Sequence, residues 1–185
     1  MAIILSSQLP VGDHAGDQEI SALQEAVKGL LDAAGTGATH IARYNAGTLA
    51  QPIPQTTFTV IQFNVVESDP EGLVTTGAAW HYTAPESGLY MVNAAAILML
   101  AVGVTTDSLC SVYVNGVEAR RANRVAQTGD GSLVLTNGFS FSAHIAVSAG
   151  DSIDVRMYQA STTAPAKNIE AYTPSNWISI YRVSA

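Results

Sequence analysis

The sequence predicts a mainly β chain: an antiparallel jelly-roll β-sandwich preceded by a short N-terminal helix and an extended arm. Three observations carry this reading. From residue 58 onward the chain reads as about eight short strands separated by Gly-, Pro- and Asn-bearing turns, the spacing of sandwiches and jelly rolls. Several of those strands alternate apolar and polar residues one by one. Before residue 56 only one segment has helical periodicity, and a Gly- and Pro-bearing stretch follows it. The division expected is therefore an N-terminal anchor over residues 1–56 and a jelly-roll head over residues 57–185.

The helix is expected from Asp17 to about Ala34. Asp17 suits the N-cap, and Ile20, Leu23, Val27, Leu30 and Ala34 recur at alternating spacings of three and four residues. That makes a narrow apolar stripe of about two heptads, ended by Gly35 and Gly37. Such a helix is marginal alone in water and needs a surface to cover it, whether its own domain, a symmetry mate or another protein. Residues 35–56, with Gly35, Gly37, Gly47, Pro52 and Pro54, read as a linker-like arm. Gly35-Thr36-Gly37 is no phosphate loop, because no strand leads into it and a helix ends there.

Phe58–Val66 reads as the first strand, with Asp69-Pro70-Glu71-Gly72 as the following turn. Ala78–Tyr82 is a short strand, and Pro85-Glu86-Ser87-Gly88 turns the chain again. Leu89–Leu100 is a long apolar run expected as a strand buried on both faces, although its Ala94-Ala95-Ala96 tract also fits a helix. Leu109–Val114 runs into Asn115-Gly116, a strong hairpin signal, and Val117 begins the return strand. Gly129-Asp130-Gly131 marks another turn. From Phe139 to Val147, Phe139, Phe141, Ala143, Ile145 and Val147 share one face, opposed to Ser140, Ser142, His144 and Ala146. Ala149-Gly150-Asp151 then turns the chain into the alternating Ile153, Val155 and Met157. Residues 160–176 read as a loop and Trp177–Val183 as the last strand.

Composition narrows the function. Charged residues are 12% of the chain, about half the usual share, while the net charge is −7. A chain so lightly charged suits an obligate oligomer or a particle-bound protein. Its basic cluster, Arg120, Arg121 and Arg124, is too small a footprint for nucleic acid or an anionic membrane surface. The one cysteine, Cys110, sits in an alternating run and reads as a buried structural thiol. Met1–Leu5 lacks the basic region of a signal peptide, and no run reaches the roughly 20 apolar residues of a membrane helix. The expectation is a protein made in a reducing cytoplasm.

The search for chemistry yields neither a catalytic constellation nor a cofactor or metal motif. His14, His40, His81 and His144 lie far apart, without HxH or HExxH spacing. Cys110 lacks a nucleophile motif, and there is no GxSxG. Asp69, Glu71, Asp130 and Asp151 fall in turns, where carboxylates cap backbone amides. Tyr158, Tyr172 and Trp177 are the aromatics to consider for stacking on a sugar ring, against the alternative of a core or subunit-interface role.

Several segments resemble C1q/TNF-like domains. Phe63-Asn64-Val65-Val66 followed by Trp80-His81-Tyr82-Thr83-Ala84-Pro85-Glu86-Ser87-Gly88-Leu89-Tyr90 is similar to that family's strand–turn–strand signature. Val112-Tyr113-Val114-Asn115-Gly116 resembles its next hairpin, Val147–Val155 its later Gly-Asp strand pair, and Trp177-Ile178-Ser179-Ile180 its last strand. The resemblance spans residues 58–183. It implies a two-sheet jelly roll assembled as a compact homotrimer. No collagen-like stalk precedes the head; a short helix and arm stand in its place. Branched residues alternating with Leu in the helix favour a two-stranded coil on peptide rules, which leaves dimer against trimer open from the helix alone.

Heads of this type with short N-terminal anchors resemble bacteriophage virion proteins. The function expected is therefore structural and non-enzymatic: a trimeric capsid decoration or head-fibre protein on the virion. Its anchor would dock on the major capsid protein or another virion protein through Ile20, Leu23, Val27, Leu30, Pro52, Ile53 and Pro54. The alternatives are a tail-fibre or tail-tip adhesin for a host surface glycan and a free bacterial C1q-like lectin.

Overall fold

The structure, a computed structural model, describes residues 38–48, 50–100, 105–128, 135–162, 166–171 and 173–184. The helix expected over Asp17–Ala34 lies outside these residues. A compact unit begins at Ala38. Its strands are β1 (Thr39–Asn45), β2 (Gln51–Pro54), β3 (Thr59–Val60), β4 (Val65–Ser68), β5 (Val74–Thr75), β6 (His81–Thr83) and β7 (Gly88–Leu100). They continue as β8 (Thr105–Val114), β9 (Val117–Thr128), β10 (Leu135–Val147), β11 (Ser152–Ser161), β12 (Ala166–Ile169) and β13 (Trp177–Ser184).

Among the described residues the strands form two sheets, of seven and six strands. The first is built on β7. One edge of β7 pairs with β10 along its whole length, from Gly88 opposite Val147 to Leu100 opposite Leu135. The other edge is shared by β13, up to Trp177 opposite Ala95, and by β12, with Ile169 opposite Leu98. Beyond β13 lie β1 and then β4, and beyond β12 lies β2. The second sheet is built on β11, with β8 and then β9 on one side, and β6 and β3 sharing the other; β5 lies beyond β6. All strand pairings are antiparallel, and the fold is the mainly β sandwich expected.

The core lies between the sheets. From the first sheet it takes Tyr44, Ile53, Tyr90, Val92, Leu98, Phe139, Ile178 and Ile180, all buried. From the second come Tyr82, Cys110, Val112, Ile153, Val155 and Met157. Trp80 meets Tyr44 and Phe63 edge to face at ring separations of 6.3 and 5.3 Å, and Tyr82 meets Tyr90 at 5.9 Å. The expected buried thiol is there: Cys110 is 1% exposed.

Turn chemistry sets the register. Asn115 and Gly116 both have positive φ, 49° and 77°, the requirement of a tight hairpin between strands of right-handed twist. Asp69 accepts the backbone N–H groups of Leu73 and Val74 at 2.9 and 3.2 Å, fixing the turn before β5. Gly88 cannot be replaced, since a Cβ there would stand 2.3 Å from the Ser184 carbonyl oxygen.

Four expectations need correction. The arm expected up to residue 56 is, from Thr39 to Pro54, largely sheet: β1 pairs with β13, and β2 with β12. Pro52 and Pro54 are tolerated because β2 ends its sheet, where a missing N–H costs no ladder bond. The strand expected over Phe58–Val66 is two strands in different sheets, β3 on β11 and β4 on β1, with buried Ile61 and Phe63 carrying the chain between them. β7 is buried on one face only: Leu89, Met91, Asn93, Ala95 and Ile97 are half-buried and Met99 is exposed. Finally, the loop expected over 160–176 contains β12, whose Ala-Lys-Asn-Ile sequence has no strand signature of its own.

Candidate functional site

Four of the expected anchor residues, Ile20, Leu23, Val27 and Leu30, lie outside the described residues, as does Tyr172. Pro52, Ile53 and Pro54 form β2. Ile53 is fully buried in the head's own core, and its carbonyl accepts a hydrogen bond from Gln159 Nε2 at 3.2 Å. Ile53 is therefore corrected from anchor to core, while Pro52 and Pro54 stay exposed beside it.

Tyr158 and Trp177 stand on different sheets. Tyr158 lies on β11 in the second sheet, its ring 5.1 Å from Phe58, which in turn lies 5.6 Å from Tyr113. Arg156 stacks 4.2 Å over Tyr113 while holding Asp154 through two hydrogen bonds. Arg121 likewise holds Glu118, and Arg124 holds Asp107, each through two bonds. These guanidinium groups keep the Asp107 and Glu118 carboxyls below the usual carboxylate range. The arginine cluster that drew attention in the sequence is thus engaged by carboxylates at Arg121 and Arg124.

Trp177 opens β13 and, with Arg43, Glu67, Pro174 and Ile178, lines an open groove of about 390 Å³ on the first sheet. Arg43 and Glu67 face each other at 3.9 Å across the β1–β4 pair. Asn45, 5% exposed, donates from Nδ2 to Glu67 Oε1 at 3.2 Å, and its Oδ1 accepts the Gly47 N–H at 2.9 Å. Pro174 comes from a 3₁₀ turn over Thr173–Ser175. The sequence singled out Trp177, but Arg43, Asn45 and Glu67 carried no signal, because strand pairing alone brings them together.

Among the described residues the histidines do not converge. His81 is in the second sheet, its Nδ1 2.8 Å from the Ala79 carbonyl, while His144 is exposed on β10 of the first. Among the described residues no three His, Cys, Asp or Glu side chains are grouped as a metal site. His40 was missed as a junction. It is the second residue of β1 and has positive φ; its Nδ1 lies 2.8 Å from Glu71 and its Nε2 3.7 Å from Glu86. Glu86 also meets Arg182 at 3.0 Å, and the Tyr82 hydroxyl donates to the His40 carbonyl at 2.8 Å. These contacts tie the start of β1 to the end of β13 and two turns, a structural clasp.

A third feature is the outward face of the first sheet. Neither β7 nor β10, each of 13 residues, contains Lys, Arg, Asp or Glu. Met91, Asn93, Ala95, Ile97 and Met99 of β7 lie beside Ser140, Ser142, His144 and Ala146 of β10.

Against solved structures, the chain is similar to an Eiger TNF from S. frugiperda, with a TM-score of 0.55 at 13% identity, over 78% of this chain and 92% of that one. The likeness establishes the fold as a TNF-like jelly roll, which fits the C1q/TNF-like resemblance seen in the sequence. No protein-family model matches the chain. No curated protein matches it either.

Proposed function

We propose that this chain is a non-enzymatic structural protein of a bacteriophage virion: a homotrimeric capsid decoration or head-fibre protein with the jelly-roll head turned outward. The observation that carries the reading is the uncharged outward face of β7 and β10. A sheet face that meets water ordinarily alternates its core residues with polar ones, charged residues among them. Here that surface is Met, Ala, Ile, Asn, Ser and His, and its lack of Lys, Arg, Asp and Glu supports a face covered by further copies of the chain.

Attachment belongs to the residues before the sandwich. Because β1 and β2 are part of the head, the anchor narrows from residues 1–56 to residues 1–37, which hold the Ile20, Leu23, Val27 and Leu30 stripe. The chain enters β1 at the end of the sandwich where β13 finishes, Thr39 opposite Arg182. That end would face the particle, and its partner would be the major capsid protein or another virion protein. Three anchors on one trimer raise the effective concentration of each at the surface.

Gradient fractionation of a lysate from infected cells, probed with antibody to the chain, tests this. Co-sedimentation with particles, at copy numbers in multiples of three, supports it. Recovery of the chain only in the free soluble fraction would overturn it.

A further inference from the structure

We propose that the Trp177 groove is a binding site for a neutral pyranose sugar. Its lining includes the indole of Trp177 and the ring of Pro174. The same lining carries a guanidinium and a carboxylate, Arg43 and Glu67, 3.9 Å apart. A pyranose presents the same division: a C–H face that lies on an aromatic ring, and vicinal hydroxyls that both donate and accept.

The polar pair is organised for something other than stability. Arg43 and Glu67 are 58% and 43% exposed, and so loose a surface pair adds little to folding. Yet Glu67 is held by the buried amide of Asn45, itself oriented by the Gly47 N–H. A buried residue that aims an exposed carboxylate into a groove is the supporting shell of a recognition site. Opposite charges in the lining cancel, which favours a neutral ligand over a phosphate or a free carboxylate. The groove's volume, about 390 Å³, lies within the range of small-molecule sites. It lies over β13, β1 and β4 and borders the β7–β10 face, with Trp177 opposite Ala95 of β7. Sugar binding at this groove goes beyond the structural role proposed above.

The test uses the full chain and its two tryptophans. Trp80 is 1% exposed in the core and serves as an internal control. Glucose, galactose, mannose and N-acetylglucosamine would each be titrated while the indole N–H resonances are followed by NMR, with Trp177→Phe assigning the signals. The expected result is a saturable shift of the Trp177 signal with at least one sugar, at a Kd on the order of millimolar, while the Trp80 signal stays fixed. Glu67→Gln, which keeps an acceptor for Asn45, should weaken that binding about tenfold without changing the melting temperature. No shift with any of the four sugars, equal shifts of both indoles, or an unchanged Kd in Glu67→Gln would overturn the proposal. The outcome does not depend on particle association.

Discussion

Ile53 distinguishes a docking arm from a strand of the head. Its side chain is fully buried in β2. Ile53→Ala removes three carbon atoms from a packed site and leaves a cavity, which costs 2–5 kcal/mol in well-packed cores. β2 is a short strand at the end of its sheet, so its surroundings relax more than a central strand would, and about 3 kcal/mol is the expected loss. For a chain of this size that corresponds to a fall of roughly 6–12 °C in Tm. Pro52→Ala and Pro54→Ala, at exposed positions on either side, should each cost less than about 1 kcal/mol. Urea unfolding of the three variants at one fixed protomer concentration checks this, with an unchanged m-value marking a pure stability effect. If Ile53→Ala unfolds with the wild type while losing attachment to its partner, the core assignment is wrong and Ile53 belongs to a docking surface.

The same reasoning fixes the boundary: a chain of residues 38–185 should fold, whereas one of residues 57–185 loses β1 and β2, one of the two partners of β13 and of β12, and should not, as circular dichroism and protease resistance will show. Burial pushes the Cys110 thiol up from 9.0 to about 12, so the unfolded chain loses that proton first as pH rises. The resulting stability is complete below about pH 9 and declines above it by at most about 1.4 kcal/mol per pH unit; Cys110→Ala should flatten the decline in urea unfolding series. Tyr44, also raised to about 12 mainly by burial, adds a similar decline above about pH 10 that Tyr44→Phe should remove. Ser140→Lys places a charge on the exposed, uncharged face of β10 and should yield a folded single chain at micromolar concentration by light scattering.

The parts of the fold legible in the sequence were those whose signal is local. Alternation along Phe139–Val147 names the inward face of β10, and Asn115-Gly116 names the β8–β9 hairpin, because pleat and turn dihedrals are written in neighbouring residues. β1, β2 and β12 were not legible. β2 and β12 have four residues each and carry Pro or Lys at positions that become acceptable only beside a particular partner strand. Lys167 is the extreme case: 4% exposed in β12, its ammonium pushed down in pKa by burial, it reads as a loop residue until Ile53 lies opposite it. The groove was half legible. Trp177 stood out as an aromatic, but the Arg43–Asn45–Glu67 arrangement exists only through the pairing of β1 with β4 and β13.

The central claim is that the uncharged outward face of β7 and β10 is covered by copies of the same chain. The mass of the purified full chain, measured by light scattering across a dilution series at micromolar concentrations, tests it most directly. The account predicts three times the 19.3 kDa chain mass, unchanged on dilution. A mass of one chain at every concentration would contradict it.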